Sequence, residues 1–538
     1  MPEYSLLDIH FARFLASRSG LAGEEKKTFE TVVRDLSAAL AAGHSCLPVR
    51  RQEEEILTGT SLVSTGDATP LVLTDGRLYL HRYFTYEAQL AAKIHELARV
   101  NFPVPENKAL LDACFGPDKE EEDLQKKAAE TAMQKALCII SGGPGTGKTS
   151  TVVRIIGLLL QVFGNDLQVA LAAPTGKAAM RLRQSVGDSL DKLPFPEPVK
   201  TAIPTQAQTL HRLLGVRKDS PRFRHNSENP LPWDVVVVDE ASMVDLAMMS
   251  KLVDALKPGS RLLLLGDKDQ LASVESGAVL VDLVWALPEN TVELQKTYRF
   301  DTAIKRLSQA VNRGDSEAAW QLLVDPDSAH VGLLEKPLSD FVGDRYALYM
   351  ALAVRDRGIG YEQVFADFNS FRVLCAIRHG HRGVEGINAA AEQYLTKKGY
   401  DCLSKIWYPG RPVLITRNDY SLDLSNGDIG ICLADPADGV LKVWFERPDG
   451  TLRNCLPYRL PPCETAYALT IHKCQGSEFD EVLVVLPEHE NRILSRELIY
   501  TAVTRAKKRV LMATTKEMLQ QALARRIDRF SGLKNRLQ

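Results

Sequence analysis

The sequence contains no long hydrophobic run. Its apolar strings, such as VVVV and LLLL, have the length of core strands, and none approaches the roughly 18 residues that a membrane-spanning helix requires. The first residues, MPEYSLLDIHFARF, lack the charged leader and apolar stretch of a secretory signal. From these absences we expect neither a membrane span nor an export signal.

Paired cysteines are also missing. The nine cysteines are odd in number, and no two of them form C-x-x-C. Disulfide frameworks, zinc sites and iron–sulfur sites usually show an even count or such a paired spacing. The pattern therefore predicts reduced thiols in a cytoplasmic protein, with neither a disulfide framework nor a zinc or iron–sulfur site.

Neither sign of charge is in excess. The chain has 66 basic and 68 acidic residues and a formal net charge of −2, so any nucleic-acid-binding surface must be a local basic channel. The apolar fraction of 45% and the charged fraction of 25% are typical of a globular protein. A length of 538 residues predicts about three or four domains.

Residues 1–110 are predicted to be largely helical. FETVVRDLSAALAAG has apolar residues at helical spacing and ends at Gly43, a C-cap candidate. PLVLTDGRLYLHRYF predicts two short strands around Asp75-Gly76, a dipeptide typical of hairpin turns. The charged stretch at 118–127 predicts a solvated linker or the start of a helix.

Two sets of short apolar strands alternate with helices and predict two α/β cores. Continuous runs of Val, Ile and Leu indicate parallel sheets that are covered on both faces. The first set is ALCIISG (136–142), LQVALAAP (167–174), VVVVDEA (235–241) and RLLLLGD (261–267). The second set is FRVLCAI (371–377), EVLVVLP (481–487) and RVLMATT (509–515).

Two further segments interrupt this alternation. Residues 217–232 are polar and have hairpin-like turn chemistry. Residues 411–462 are rich in short strands and turns, which predicts a small inserted β-barrel. We therefore predict an α/β chain in three parts: an N-terminal domain (1–110), a first core (111–335) and a second core (336–538).

The strongest local motif is SGGPGTGKTS. Gly142, Gly147, Lys148 and Thr149 fit G-x-x-x-x-G-K-[ST] between a predicted strand and a predicted helix. In such a loop the backbone N–H groups cradle phosphates, the lysine charge reaches the outer phosphates and the threonine hydroxyl can ligate Mg²⁺. The predicted nucleotide-binding residues are Gly142, Gly143, Pro144, Gly145, Thr146, Gly147, Lys148, Thr149 and Ser150.

VVVVDEAS supplies the carboxylates that such a site needs. Asp239 and Glu240 follow a buried strand, at the edge where ligands of open α/β sheets bind. We predict that Asp239 holds Mg²⁺ together with Thr149, and that Glu240 is the base that orients and activates the attacking water.

Three more residues are candidates for coupling hydrolysis to movement. Gln270 follows a predicted strand in LLLLGDKDQ and is a candidate γ-phosphate sensor. Arg299 lies in LQKTYRF, and Arg505 lies in YTAVTRAKK of the second core. Either arginine can supply the charge of an arginine finger.

Nine segments occur in the order of the motifs of superfamily 1B helicases and resemble those of the RecD family, the α subunits of RecBCD enzymes (exodeoxyribonuclease V). The resemblance covers about 110–515, and GHSCLPV and RLYLHRYFTYE resemble the N-terminal domain of that family. The segments are SGGPGTGKTSTV, APTGKAA, TLHRLLG, VVVVDEAS, GDKDQLASVESGAVL, TYRF, RPVLITRNDYSLDLSNGDIG, ALTIHKCQGSEFDEV and YTAVTRAKK.

The resemblance implies roles for residues that the chemistry alone leaves open. It implies that Gln125 recognises adenine, and that Gly476 and Glu478 link the DNA to the nucleotide cleft. Without it, His211 and His472 would be interpreted as core or capping histidines. The implied DNA contacts are Pro174, Thr175, Lys177, Thr209, His211, Asn418, Thr470 and His472.

The resemblance further implies a motor that uses ATP and Mg²⁺ to run 5′ to 3′ along single-stranded DNA. Its two cores would be RecA-like domains, 217–232 the pin that splits the duplex and 411–462 an SH3-like insertion. Its partners would be a duplex DNA end and RecB-like and RecC-like subunits, with the N-terminal domain docked on the latter. A metal-dependent nuclease needs several carboxylates that converge on Mg²⁺, and the sequence shows no such cluster outside the ATP site. Asp528 in RRIDRF (525–530) is a single carboxylate in a basic tail that is expected to be helical, which predicts a solvated face, so cleavage would belong to a partner chain.

Two alternatives stay open on the sequence. One is a stand-alone helicase of the same superfamily, which would carry a longer and different N-terminal extension. The other is a regulatory P-loop ATPase without motor activity, whose ATP site only sets conformation. Gln270 and the two arginines argue against the second alternative.

Overall fold

The computed structural model describes residues 4–66, 68–105, 107–117, 122–217, 220–273, 275–296, 302–354, 360–419, 421–447 and 450–538. Four sheets organise these residues: one in the N-terminal part, one in each core and one inserted into the second core. None of the helices within the described ranges is both long and apolar enough to cross a membrane.

The N-terminal part combines helices with a small sheet of order β1-β4-β3-β2. The predicted hairpin is confirmed, because β3 pairs antiparallel with β4 and both turn residues, Asp75 (φ 49°) and Gly76 (φ 69°), have positive φ. The elements are α1 (Leu6–Ala16), α2 (Gly23–Ala41), β1 (Leu47–Pro48), α3 (Arg51–Thr58), β2 (Val63–Ser64), β3 (Leu71–Thr74), β4 (Arg77–Leu80) and α4 (His81–Arg99).

The first core is a six-stranded sheet of order β10-β5-β9-β8-β6-β7, and all of its pairs are parallel. The four predicted strands are confirmed, and two short edge strands join them. The strands are β5 (Leu137–Gly142), β6 (Val169–Ala173), β7 (Ala207–Thr209), β8 (Val235–Val238), β9 (Arg261–Gly266) and β10 (Thr291–Leu294). The helices are α5 (Lys108–Phe115), α6 (Leu124–Gln134), α7 (Lys148–Phe163), α8 (Gly176–Leu190), α9 (Glu197–Ala202), α10 (Leu210–Leu214), α11 (Leu246–Asp254) and α12 (Val279–Ala286).

The second core is a five-stranded parallel sheet of order β11-β20-β19-β12-β18. The three predicted strands are confirmed here as β12, β19 and β20. The strands are β11 (Val331–Leu333), β12 (Phe371–Cys375), β18 (Ala468–Thr470), β19 (Phe479–Val485) and β20 (Ala506–Ala513). The helices are α13 (Thr302–Arg313), α14 (Ser316–Val324), α15 (Leu338–Ala353), α16 (Tyr361–Ser370), α17 (Val384–Lys397), α18 (Arg496–Val503) and α19 (Lys516–Ala524).

The segment inserted between β12 and β18 forms an antiparallel sheet of order β16-β15-β14-β13-β17. It has a small apolar core of its own that includes Val413, Cys432 and Phe445. The fifth strand extends to Thr465, slightly beyond the predicted end at 462. The strands are β13 (Pro412–Ile415), β14 (Ile429–Ala434), β15 (Leu441–Glu446), β16 (Leu452–Cys455) and β17 (Cys463–Thr465).

The predicted core boundary at 335 is wrong. Ile304 and Leu307 on α13 and Leu323 on α14 are buried in the core of the second sheet, and β11 pairs with β20 of that sheet. The second core therefore already includes the residues from 302 onward. Helical periodicity shows that a helix has an apolar face but does not show which sheet covers it.

The predicted boundaries at 110 and 538 also differ from the packing. Leu90 and Ile94 of α4 are buried in the first core, together with Leu533 and Leu537 of α20 (Leu533–Leu537). The C-terminal residues thus return to the first core. On the way, the Arg529 guanidinium donates hydrogen bonds to the carbonyl oxygens of Ser273, Glu275 and Gly277.

The predicted hairpin-like segment at 217–232 is a series of turns. Its bridges, Val216–Phe223 and Asn226–Asn229, are isolated, and none of its described residues forms a strand. Residues 218–219 lie outside the described residues.

Candidate functional site

The P-loop lies between β5 and α7, as the motif requires. Gly145 (φ 77°) and Gly147 (φ 84°) have positive φ, which favours glycine. Lys148 Nζ donates hydrogen bonds to the carbonyl oxygens of Gly142 (2.5 Å) and Gly143 (3.1 Å), so its charge lies over the loop. The N-terminus of α7 begins at this lysine, which makes the loop a site for anions such as phosphate.

A cavity of about 480 Å³ lies between the two cores at this loop. Residues from both cores line it, so the structure brings most of the predicted nucleotide-site residues together. From the P-loop and the ends of β8 and β9 it is lined by Pro144, Gly145, Gly147, Lys148, Thr149, Ser150, Asp239, Glu240 and Gln270. From the second core it is lined by Glu478, Arg505 and Lys507.

The two predicted carboxylates lie directly after β8. The Glu240 backbone N–H donates to Asp239 Oδ1 (2.8 Å), and Glu240 adopts a left-handed conformation with φ 51° and ψ 41°. Non-glycine residues rarely adopt this conformation, and such strained positions cluster at active sites. Because of this turn, the consecutive carboxylates of Asp239 and Glu240 both line the cavity.

Burial and the neighbouring Glu240 carboxylate raise the pKa of Asp239 to about 6, against the opposing charge of Lys148. A nearby cation stabilises the ionised form of a buried carboxylate such as Asp239. The Thr149 hydroxyl and the Asp239 carboxylate are hard oxygen ligands that line one cavity, and they fit the requirements of Mg²⁺. The donor set therefore suits the predicted metal.

This raised pKa predicts a pH-dependent Mg²⁺ requirement. The pKa lies above its ordinary value of 3.8, so the ionised form that binds Mg²⁺ predominates only above about pH 6. The half-saturating Mg²⁺ concentration for ATP hydrolysis should rise about tenfold between pH 8 and pH 5, because about one-tenth of Asp239 stays ionised at pH 5. Asp239→Asn controls for protonation of the nucleotide itself, and an equal shift in both proteins would contradict the assignment.

Gln125 lies beside the P-loop at the start of α6. Its amide Nε2 donates to the Thr146 carbonyl oxygen (3.2 Å), and its Oε1 accepts from Arg154 Nη1 (3.3 Å). Asp123 caps the same helix by accepting from the Gln125 backbone N–H (2.9 Å). Gln125 is thus placed at the loop, and its contact with adenine stays a prediction.

Asp267, at the end of β9, is a site residue that sequence reasoning missed. It is 2% exposed, and its Oδ2 accepts from Gln270 Nε2 (3.0 Å) and from the Tyr500 hydroxyl (3.1 Å). Burial raises the pKa of Asp267 to about 6, and Lys148 opposes the shift. Its position after a buried strand, like that of Asp239, was the available signal.

Arg505 is the predicted arginine that reaches the cavity. It is 1% exposed, and its guanidinium donates to the carbonyl oxygens of Thr501 (3.2 Å) and Ser477 (3.4 Å). Its Nη2 is buried without a hydrogen-bond partner among the described residues. A buried guanidinium with free donors at a cavity is suited to an anionic ligand. Arg299 lies outside the described residues.

Glu478 joins the two cores beside Arg505. Its carboxylate forms ion pairs with Arg181 of α8 and with Lys507 (3.7 Å). Gly476, with φ 74°, lies so close to α8 that a Cβ there would be 3.4 Å from the Ala178 Cβ. Arg181, which lines the nucleotide cavity, is another residue that sequence reasoning missed.

Three predicted DNA contacts lie at adjacent strand ends of the first core. Ala173 of β6 is paired with Thr209 of β7, and Pro174 and Thr175 follow Ala173 directly. The Thr175 and Thr209 hydroxyls accept from the backbone N–H groups three residues later (3.2 and 3.3 Å). Both threonines therefore act as helix N-caps, a structural role that does not exclude contact with a phosphate.

Lys177 and His211 have different surroundings. Lys177 lines a second cavity of about 700 Å³ between α8 and the second core, with Asp428 and Gly476. Burial, aided by the charge of Arg372, lowers the pKa of Lys177 to about 8. His211 is exposed and packs edge-on against Phe223, with ring centroids 5.7 Å apart.

The three predicted contacts of the second core lie in two places. Thr470 ends β18, and His472 belongs to the 3-10 helix Ile471–Cys474 that follows. Burial and the charge of Arg529 lower the pKa of His472. Asn418 Oδ1 accepts from the Asn426 backbone N–H (2.7 Å), so it bridges a turn of the inserted sheet.

Family comparisons agree with this arrangement. The family model of an AAA domain matches residues 125–276, and that of a UvrD-like helicase C-terminal domain matches residues 465–513. RecBCD enzyme subunit RecD of Mycolicibacterium smegmatis is 39% identical over 98% of this chain and 97% of its own length. The chain belongs to the RecD family.

Other relatives extend the comparison. RecBCD enzyme subunit RecD of Haemophilus influenzae is 36% identical over 86% of this chain and 80% of its own. The ATP-dependent RecD2 DNA helicase of Deinococcus radiodurans is 33% identical over 95% of this chain and 68% of its own. Among solved structures, Bacteroides Pif1 bound to single-stranded DNA aligns with 74% of this chain and 94% of its own, at 18% identity and a TM-score of 0.40.

Proposed function

We propose that this RecD-family chain, an ATP-dependent DNA helicase, is the motor subunit of a RecBCD-type enzyme and moves 5′ to 3′ along a single strand. One observation carries the motor assignment. The cavity at the P-loop has Lys148 on the first core and the partly unpaired Arg505 on the second. A nucleotide held between such groups makes the distance between the cores depend on its phosphates.

In the proposed reaction ATP lies in the cavity with its outer phosphates at Lys148. Thr149 and Asp239 would hold Mg²⁺, which would supply positive charge to neutralise the phosphates. Glu240 orients a water molecule and accepts its proton as the water oxygen attacks the γ-phosphorus. The bond between this phosphorus and the β,γ-bridging oxygen breaks, which gives ADP and phosphate. Arg505 stabilises the charge that develops on the transferred group.

In the proposed mechanism, movement requires that each core contacts the same DNA strand. Thr175, Thr209 and His211 would hold DNA on the first core, and Thr470 and His472 on the second. Hydroxyl and imidazole groups contact phosphate or stack on bases without reading sequence. Closure on ATP and opening after hydrolysis then slide one grip past the other.

The remaining parts receive roles from the same family. Gln125 would contact adenine, and Lys177 and Asn418 would add DNA contacts. Residues 217–232 would be the pin that splits the duplex. The five-stranded antiparallel sheet from Pro412 to Thr465 would be the SH3-like insertion.

Sequence identity favours the subunit form over a stand-alone helicase. This chain is 39% identical to the M. smegmatis RecD subunit and 33% identical to the D. radiodurans RecD2 helicase. We infer that the chain has RecB-like and RecC-like partners and acts on duplex DNA ends in the cytoplasm. We also infer that a partner chain cleaves the DNA. Among the described residues, no cluster of three His, Cys, Asp or Glu side chains could hold a metal ion for a nuclease.

Helix α1 offers a surface for the RecC-like partner. Leu6, Leu7 and Phe14 are 75%, 74% and 53% exposed on it, and large exposed apolar side chains on one helix are typical of an interface. The double variant Leu7→Glu/Phe14→Glu should lose co-purification with the partner subunits while keeping its own ATPase activity. Ile406→Glu, at a side chain 77% exposed on the second core, is the control. Unchanged assembly of the double variant would place the interface elsewhere.

An unwinding assay with 5′-tailed and 3′-tailed duplexes tests the proposed function. We expect the full chain to unwind only the 5′-tailed substrate and to hydrolyse ATP faster with single-stranded DNA. Unwinding from the 3′ tail would refute the polarity. Hydrolysis that DNA does not stimulate would instead favour a regulatory ATPase.

A further inference from the structure

Residues 267–271, here called the sensor loop, are held by hydrogen bonds from the second core. The Leu271 backbone N–H donates to Thr501 Oγ1 (2.9 Å), and Gln475 Nε2 donates to the Leu271 carbonyl oxygen (2.8 Å). The Tyr500 hydroxyl donates to Asp267 Oδ2 (3.1 Å). Both ends of the loop that carries Gln270 are thus attached to the opposite core.

These contacts are buried, which makes them specific. Leu271 is 3% exposed and Gln475 is 6% exposed. Water therefore cannot replace a lost partner, and a buried donor or acceptor left alone destabilises that arrangement. The position of the sensor loop is consequently tied to the position of the second core.

Asp267 makes this attachment responsive to the nucleotide. Its Oδ2 accepts from both Gln270 Nε2 (3.0 Å) and the Tyr500 hydroxyl (3.1 Å). When the Gln270 amide turns toward a γ-phosphate, its hydrogen bond to Asp267 Oδ2 is lost, and the Tyr500 hydroxyl is the donor that remains on this oxygen. A Cβ at Gly143 would lie 3.0 Å from the same hydroxyl, so Tyr500 also lies against the P-loop.

Gln475 connects the loop to the predicted DNA contacts. It follows directly after the 3-10 helix Ile471–Cys474, which carries His472, and its backbone N–H donates to the His472 carbonyl oxygen (3.4 Å). A bound DNA strand that displaced His472 would therefore move Gln475, and Gln475 would move the Leu271 carbonyl group to which it is hydrogen-bonded.

We propose that Gln475 is a positioning residue that transmits DNA occupancy at Thr470 and His472 to the γ-phosphate sensor Gln270, with Thr501 and Tyr500 completing the connection. The proposal rests on the proposed motor function, since it names the link by which DNA accelerates ATP hydrolysis. Coupling between two sites is reciprocal. The same link must therefore let ATP change the affinity for DNA.

The test compares full-length Gln475→Met with the wild type. Methionine keeps the volume and removes the donor to Leu271. Gln321→Met is the matched control, because Gln321 is an exposed glutamine whose amide donates to Glu317 (3.0 Å) and which does not line the nucleotide cavity. Two quantities are measured: ATPase rates with and without oligo(dT), and the affinity for fluorescein-labelled oligo(dT) with and without ADP–beryllium fluoride.

We expect Gln475→Met to keep its unstimulated rate and its nucleotide-free DNA affinity within about twofold. Stimulation by oligo(dT) should fall about tenfold, which lies within the usual range of couplings between sites. The effect of ADP–beryllium fluoride on DNA affinity should disappear with it. Thr501→Val, which removes the acceptor of the Leu271 N–H, should reproduce this pattern if Gln475→Met does not fold.

Other results overturn the proposal. Wild-type stimulation in Gln475→Met would show that the bond to Leu271 transmits nothing. A proportional fall of basal rate, stimulated rate and thermal midpoint would show that Gln475 only supports the fold. Absence of stimulation in the wild-type chain would refute the proposed motor function itself, and this outcome is distinct because it precedes any variant.

Discussion

Lys148→Gln should abolish DNA-stimulated ATP hydrolysis while leaving the fold intact. The Lys148 ammonium lies over the P-loop carbonyls and is a positive charge that the first core offers to the outer phosphates. Glutamine keeps a hydrogen-bond donor but removes the charge, so we expect kcat to fall about a thousandfold. Rates at saturating MgATP and oligo(dT), with circular dichroism and thermal unfolding, check both parts.

The matched control is Lys192→Gln. Lys192 is exposed just after α8 and does not line the nucleotide cavity, so its loss should leave the rate unchanged. Full activity of Lys148→Gln would remove the P-loop from the mechanism.

Arg505→Ala should reduce kcat by about a thousandfold or more, the range found for arginine fingers, with a smaller effect on the KM for ATP. The reason is geometric. The Arg505 guanidinium is buried at the cavity and keeps one nitrogen without a hydrogen-bond partner among the described residues, so charge developing on the γ-phosphate is its natural acceptor. Since that charge is largest in the transition state, the loss appears in kcat.

Two comparisons make this result interpretable. Arg505→Lys keeps the charge without the planar fork and should recover only part of the rate. Arg509→Ala removes an exposed arginine of β20 and should have no effect. A kcat for Arg505→Ala within about threefold of the wild type, in a folded protein, would exclude Arg505 from catalysis.

The nucleotide site was largely predictable from sequence. Gly145, Gly147 and Lys148 act through backbone turns and a helix N-terminus that neighbouring residues determine. Asp239 and Glu240 follow a run of four valines that could only be a buried strand. The left-handed backbone of Glu240 was not predictable, because strain at a non-glycine residue is imposed by its surroundings.

Assignments that depend on packing were less accurate. The boundary at 335 was wrong because α13, α14 and β11 belong to the second core. Likewise, the C-terminal helix α20 packs on the first core. The spacing of apolar residues predicts an amphipathic element, but the sheet on which it packs depends on shape and burial in the folded chain.

By itself, the sequence determined the α/β architecture of the cores, the P-loop, the carboxylates that follow β8 and the helicase family, since each depends on contiguous residues with local geometry. Only the tertiary structure decided how the cores are connected. Thr501 meets Leu271 across 230 residues, Gln475 meets Leu271 across 204, and Tyr500 meets Asp267 across 233. A hydrogen bond between residues so far apart in sequence depends on how the two cores dock, and no periodicity or spacing along the chain predicts it.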